Sequence, residues 1–319
     1  MTAIIIKDLD VFYLSYDEPN KEEHYADLLE KYPHAKRIDG VKGFDNAHKA
    51  CARASKSDRF ITIDGDNIVD KKFFDLVLNF PTNVDLSKSV ISWGAKNLTN
   101  GLVYGNGGIK CWPVQLVLDM KTHENADNET KKLDFCWDLD YKQMNNTYSM
   151  IFNSGSPFQA FRSGFREGVK MSLDEGKIIE PSKFKTKVWP KNYHRLLTWC
   201  NVGADIENGL WAIYGARLGC YRVNFDETFI TESISDYDWF KSYFNDEVYP
   251  KFLSDNSEVD TDLLYDASLD VGDKLVEMLG MELCDPTVEM SNFFKLVYIN
   301  PKRVPNPLAT EKSTGWSGH

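Results

Sequence analysis

The sequence is short of several things, and each shortage removes a class of function. It has no Cys-x-x-Cys pair: its six cysteines, Cys51, Cys111, Cys136, Cys200, Cys220 and Cys284, are scattered. That spacing argues against a structural zinc site and points to reduced thiols of a cytoplasmic protein, several of them buried. No run of about 18 apolar residues occurs, so no membrane span is expected. The opening MTAIIIKDLDVFYLSYDEPN lacks a basic lead-in, a long apolar core and a small-residue cleavage site, so no signal peptide is expected. There is no G-x-G-x-x-G loop, no internal repeat and no proline- or serine-rich linker. Positive charge is also scarce. The 37 Lys and Arg face 48 Asp and Glu, for a net charge of −11. A surface that is basic all over, of the kind that grips nucleic acid or anionic lipid, is thereby excluded, whereas a local basic groove is not.

What is present suffices for a sizeable folded core. The 319 residues are 42% apolar and 13% aromatic, ample for one large or two modest domains. The first 66 residues alternate. Asp10 to Ser15 (DVFYLS) reads as a strand, and Asn20 can cap a helix from about Lys21 to Tyr32. Ala35 to Val41 reads as a second strand, Asp45 to Ser55 as an alanine-rich helix, and Arg59 to Ile63 as a third strand ending at Asp64. Such alternation implies right-handed crossovers and an α/β fold with a mainly parallel sheet. Ligands of these sheets sit at the carboxyl ends of the strands. Ser15-Tyr16-Asp17-Glu18, Asp39-Gly40 and Asp64-Gly65-Asp66 lie at those ends.

Further on, Val90 to Trp93 and Val103-Tyr104 read as strands, and Gly105-Asn106-Gly107-Gly108 as a tight mobile loop whose glycines supply positive φ. Asn125 to Lys132 reads as a loop, Phe158 to Met171 as a helix, and Asp205 to Leu218 as an amphipathic helix. From about Asp236 the chain is acidic, aromatic and helical, and residues 313–319 read as a flexible tail.

The segment FITIDGDNIVD, Phe60 to Asp70, delivers two carboxylates one residue apart at a strand end. Residues i and i+2 of an extended chain point to one side, so Asp64 and Asp66 can face one ligand. Hard oxygens of this type suit Mg²⁺ or Mn²⁺. A solvated acidic turn is the plainer reading. A calcium loop fails because its fifth position is Ile68 and no glycine follows.

The text upstream, GFDNAHKACARASKSDRFITID, resembles the nucleotide-sugar-binding half of GT-A fold glycosyltransferases, especially the family-2 type. Gly43, Ala47, His48, Ala54, Phe60, Ile61, Asp64 and Asp66 fall near that register, with His48 and Lys49 where the family usually has arginine. The resemblance covers about Asp10 to Val223. It implies a Rossmann-like mixed, mainly parallel sheet flanked by helices, and a nucleoside-diphosphate sugar, UDP-sugar favoured, as donor. The donor would be held by Ser15, Asp17, Glu18, Asp39, Lys42, His48, Lys49, Asp64 and Gly65. The cation, Mn²⁺ or Mg²⁺, would be held by Asp64 and Asp66, with His194 as the best third ligand. The organisation it implies is a catalytic domain over 1–235, split into a nucleotide-sugar half at 1–100 and an acceptor half at 101–235. A helical appendage would follow at 236–312.

On the acceptor side, Gly107, Gly108, Lys110 and Trp112 suggest a loop that closes over the donor, the lysine meeting phosphate and the indole stacking on a sugar or base. The alternative is a hairpin with Trp112 in the core. NVGADIENG, Asn201 to Gly209, followed by Gly219 to Val223, resembles the family's acidic pair before a helix that ends in a Gly-Tyr strand. In inverting members one such acid is the general base, which makes Asp205 the first candidate and Glu207 the second. The alternative is that Asp205 caps the helix and Glu207 favours its first turn.

Phe161 to Arg195 holds nine bases (among them Lys183, Lys185, Lys187, Lys191 and Arg195) against four acids, while Asp255 to Asp273 holds seven acids and no base. The basic stretch suits a polyanionic or phosphate-bearing acceptor. DGDNIVDKKFF and GADIENGLWAIYGARLG are similar to glycosyltransferases of large tailed bacteriophages, which implies action in the host cytoplasm and, for some such enzymes, hydroxylated cytosine in phage DNA as acceptor. Three other functions stay open: a surface-glycan glycosyltransferase, a non-catalytic carbohydrate- or nucleic-acid-binding module on the same scaffold, and a nucleotidyltransferase.

Overall fold

A computed structural model describes residues 2–104, 107–127 and 139–299. Gly105, Asn106, Cys136, the end of the Asn125 to Lys132 loop and the 313–319 tail lie outside them. Among the described residues no helix is long and apolar enough to cross a membrane. They form two compact units, residues 2–98 with 103–152 and residues 99–102 with 153–299.

The first unit is a mixed α/β assembly. Its elements are β1 (Thr2–Ile5), β2 (Asp10–Ser15), α1 (Lys21–Lys31), β3 (Lys36–Asp39), α2 (Phe44–Ala54), β4 (Arg59–Asp64), β5 (Asn67–Val69), β6 (Val77–Phe80), β7 (Ser89–Asn97), β8 (Val103–Tyr104), β9 (Ile109–Pro113), α3 (Val114–Asp119) and β10 (Asp140–Ile151). The main sheet has the order β3-β2-β4-β9-β7-β10-β5, with β8 beside β7, while β1 and β6 form a separate ladder. The expected parallel order holds where helices cross over: β2 runs parallel to β3 and to β4. Beyond β4 the sheet is mixed, as expected: β10 runs parallel to β7 and antiparallel to β5. β9 is antiparallel to both β4 and β7, and β8 is antiparallel to β7. Short links between β7, β8 and β9 leave no room for a crossover helix, so these neighbours run antiparallel.

β2 is buried on both faces, which is why it reads as a continuous apolar run. Val11 and Tyr13 join Leu28 of α1, Ile61, Ile63 and Trp93 in one core. Phe12 and Leu14 join Cys51 and Ala52 of α2, Phe60 and Trp112 in another. α1 starts with Glu22 and Glu23 and ends with Lys31, each matched to the dipole at its end. Asn20 occupies the cap position but makes no side-chain cap bond, contrary to expectation.

The second unit is mainly helical. It contains α4 (Pro157–Met171), the hairpin β11 (Leu173–Asp174) and β12 (Lys177–Ile178), α5 (Phe184–Lys187), α6 (Pro190–Asn201), α7 (Gly209–Phe225), α8 (Tyr237–Ser242), α9 (Thr261–Leu279) and α10 (Val288–Phe293). α7 corrects two expectations. It begins at Gly209, not Asp205, and it runs through Gly219 to Val223, which is helix and not strand. Its cap position is Asn208, in left-handed conformation at φ 57°, so Asp205 does not cap it. The helical continuation follows from a seam of small residues. A Cβ on Gly164 or Gly168 of α4 would collide with the carbonyls of Ala212 and Ala216, and one on Gly215 or Gly219 of α7 with the carbonyls of Phe161 and Phe165. Arg217, on the same helix, is 1% exposed. Its guanidinium donates to the carbonyls of Cys200 (2.8 Å), Ser268 (2.8 Å) and Cys284 (2.6 Å).

Candidate functional site

Three adjacent parallel strands of the first unit end together. Ser15 is paired with Asp39 and Leu14 with Asp64 in the strand register. Beyond β4 the chain turns at Asp64-Gly65-Asp66 into β5. The Asp64 amide donates to Gly108 O (2.9 Å) and the Phe152 amide to Asp66 O (2.7 Å). Glu18 lies against Gly65, where a Cβ would meet its Oε2 at 2.8 Å, and its Oε2 accepts the Tyr16 amide at 2.7 Å.

Three carboxylates thus crowd one turn. Burial, with the Asp64 and Glu18 charges, pushes Asp66 up to about 7. Burial also raises Glu18, with Asp64 adding to it, against the Tyr16 amide. Burial raises Asp64, opposed by Lys110, whose Nζ stands 3.7 Å from Asp64 Oδ2. Asp64 still exposes 38% of its side chain. Among the described residues no three His, Cys, Asp or Glu side chains are grouped so as to hold a metal by themselves. The donor set nevertheless fits Mg²⁺ or Mn²⁺ in a shared role, because such ions take one or two carboxylates plus ligand phosphates and water. Lys110 opposes the charge of Asp64 and Lys21 that of Glu18, while burial and these two acids raise Asp66.

The ends of β2 and β3 carry a charged network. Asp39 Oδ1 accepts from Ser15 Oγ (2.6 Å), Lys21 Nζ (2.9 Å) and Arg37 Nη2 (3.1 Å). The Ser15 hydroxyl first, then Lys21 and Arg37, hold its carboxyl below the usual range. Arg37 also donates to Ser15 Oγ (2.9 Å) and grips Glu22 with both terminal nitrogens (2.7 and 2.8 Å). Asp17 and Lys42 are exposed.

Several expected ligands are structural instead. His48 is buried, stacked on Phe44 at 3.9 Å and edge-on to Trp112 at 4.9 Å. Burial drives its pKa down to about 3, so it is neutral and cannot supply charge to phosphate. Lys49 is spent on Asp45 (2.8 Å) and the Met120 carbonyl (2.7 Å). Trp112 is wholly buried and donates to Thr62 Oγ1 (2.8 Å), so it is a core residue and not a stacking platform. Gly107 and Gly108 are buried and close-packed; their missing side chains make room for Ala95 and for the Asn67 amide. They serve close approach. Lys110 keeps its place beside the carboxylates.

The remaining candidates belong to the second unit. Both Asp205 oxygens accept from Lys295 Nζ, at 2.7 and 2.8 Å. The Gly203 and Ala204 amides each donate to Ser291 Oγ at 3.1 Å, so residues 291–295 fasten this loop. Glu207 is exposed. His194 is half-buried, and burial followed by Arg195 favours its neutral form. In the basic stretch Lys183 pairs with Glu180 and Lys185 with Glu282. Lys187 is exposed, and Lys191 and Arg195 lie over Trp189 at 5.3 and 5.8 Å.

Sequence reasoning missed Tyr13, Lys21, His24, Arg37 and Asn67. The one signal for them is position: Tyr13 precedes Ser15 by two on the same strand, and Lys21 and His24 share a face of α1. Asn67 Nδ2 donates to Asp66 Oδ1 at 2.8 Å, and its buried Oδ1 has no hydrogen-bond partner among the described residues. No protein-family model matches the chain, and no curated protein matches it.

Proposed function

We propose that the chain is a metal-dependent GT-A type glycosyltransferase whose first unit binds a nucleoside-diphosphate sugar, with UDP-sugar favoured. The observation that carries this reading is the meeting of Ser15, Asp39 and the Asp64-Gly65-Asp66 turn at the carboxyl ends of three adjacent parallel strands. Asp39 is a fixed acceptor suited to a nucleoside N–H or ribose hydroxyl. Asp64 and Asp66 would hold Mn²⁺ or Mg²⁺, which when bound supplies positive charge to the leaving diphosphate. Lys110 adds a second positive charge beside Asp64.

In the inverting reaction the acceptor oxygen bonds to the anomeric carbon while the bond from that carbon to the diphosphate oxygen breaks with its electron pair. The acceptor proton passes to a general base, the role that the family resemblance gives to Asp205. The Lys295 ammonium engages both Asp205 oxygens, so that role requires it to withdraw. Lys187, Lys191 and Arg195 beside Trp189 support a polyanionic acceptor such as hydroxylated cytosine in DNA.

Mn²⁺ plus UDP should raise the melting temperature, since a ligand at about 100 times its Kd adds about 2.7 kcal/mol of stability. Melting unchanged across a panel of nucleoside diphosphates with Mn²⁺ and Mg²⁺ would count against the reading. A non-catalytic binding module would show acceptor binding with no donor turnover or hydrolysis.

A further inference from the structure

We propose that Tyr13 and His24 are positioning residues that fix the Asp64-Gly65-Asp66 turn, and that the first turn of α1 ties this turn to Asp39. The inference rests on the donor-site reading above. The Gly65 carbonyl accepts from Tyr13 Oη at 2.7 Å and lies 3.0 Å from His24 Nδ1. Tyr13 is fully buried and His24 is 4% exposed. A carbonyl only accepts, so His24 carries its proton on Nδ1. Tyr13 has one proton and two acceptors, Gly65 O and Lys21 O at 3.0 Å, and the nearer takes it.

Both rings are held by packing. Tyr13 stacks on Tyr25 of α1 at 5.2 Å, and His24 meets Phe152 edge-on at 5.7 Å. Phe152 is the residue whose amide holds Asp66 O. The turn is therefore pinned at two successive carbonyls, while the pins leave its carboxylates to a ligand. Three residues before His24, Lys21 donates to Asp39 Oδ1 (2.9 Å) and to Tyr16 O (2.7 Å). Lys21 and His24 share one face of α1. One rigid turn of helix thus grips both the nucleoside acid and the diphosphate turn. Fixing these groups in advance lowers the ordering cost of binding.

The test uses the full chain with Tyr13→Phe, His24→Leu and His24→Asn. Asparagine keeps an N–H near the place of Nδ1, and leucine does not. Calorimetry with UDP and Mn²⁺ should show about ten-fold or greater weakening in Tyr13→Phe and His24→Leu, as for other residues that orient ligating groups. His24→Asn should stay close to wild type. Hydrogen exchange should quicken at the Asp64 to Asn67 amides in the first two variants and not in the third, with the Phe60 to Ile63 amides unchanged in all. Binding and exchange unaltered in Tyr13→Phe and His24→Leu overturn the proposal, as does an equal loss in all three. If wild type binds no nucleoside diphosphate, the donor reading fails, and the exchange pattern still decides whether these residues position the turn.

Discussion

Gly215→Ala should lower the melting temperature of the second unit, although helix propensity alone predicts the opposite. Replacing glycine by alanine inside a helix ordinarily gains about 1 kcal/mol. Here the added methyl would collide with Phe161 O and stand 3.0 Å from Phe165 N, both backbone atoms of α4 that cannot swing aside. α4 and α7 must then separate along a seam in which Gly164, Gly168 and Gly219 are equally tight. Overpacking of this kind costs about 1–3 kcal/mol and sometimes more, enough to reverse the sign. Gly164→Val, larger and β-branched, should cost about 3 kcal/mol or more. For a unit of this size that is a fall of about 6–12 °C. Calorimetric melting of both variants reads the effect. A Gly215→Ala protein that melts above wild type would sink the seam as the organising contact of this unit.

Asp66→Asn should make the protein more stable and less active at once. Burial and the neighbouring Asp64 and Glu18 charges keep the Asp66 proton on up to about pH 7. The unfolded chain releases it near pH 4. Between those values the folded state binds more protons than the unfolded state, so stability without cation falls as pH rises from about 4 to about 7. The loss persists above that range. The asparagine amide of the variant carries no charge, so the share of this slope due to Asp66 should vanish, leaving that of Glu18 and Asp64, and the variant should melt higher than wild type at pH 8. The same change removes a cation ligand. The shift on adding Mn²⁺ and UDP should disappear, and turnover should fall by about 10²–10³-fold, as when a fixed electrostatic group is removed from an active site. Asp64→Asn should also lose the response but gain no stability, because it leaves the buried Lys110 ammonium without its counter-charge. Melting at pH 5 and pH 8, with and without Mn²⁺, separates these outcomes. A full Mn²⁺ response in both variants would remove the cation from the scheme.

The strands and helices from β2 to β4 were legible because each is set by its own residues: a doubly buried apolar run, or a helix of alternating faces. The carboxylate turn was legible for the same reason, since two acids at a strand end are local facts. Trp112 was harder. An indole after glycines reads equally as lid or core, and only the β4–β9 pairing places it opposite Phe60, within reach of Thr62. Gly107 and Gly108 look like turn glycines, yet their role depends on Ala95 and Asn67, which approach from other strands. Gly219 to Val223 has the composition of a strand. Its helical state is imposed by α4, in the way tertiary packing overrides propensity. Tyr13 and His24 carry no motif at all, because what they hold is a backbone oxygen.

The buried Arg217 has a consequence for the order in which the chain is made. Its three acceptors come from Cys200, Ser268 and Cys284, so the last is synthesised long after the guanidinium itself. Until that peptide leaves the ribosome, closing the helices around Arg217 would bury a cation with donors unsatisfied, which costs several kcal/mol per ion. Full satisfaction of Arg217 therefore depends on the segment after α9, whose Cys284 carbonyl completes the cradle.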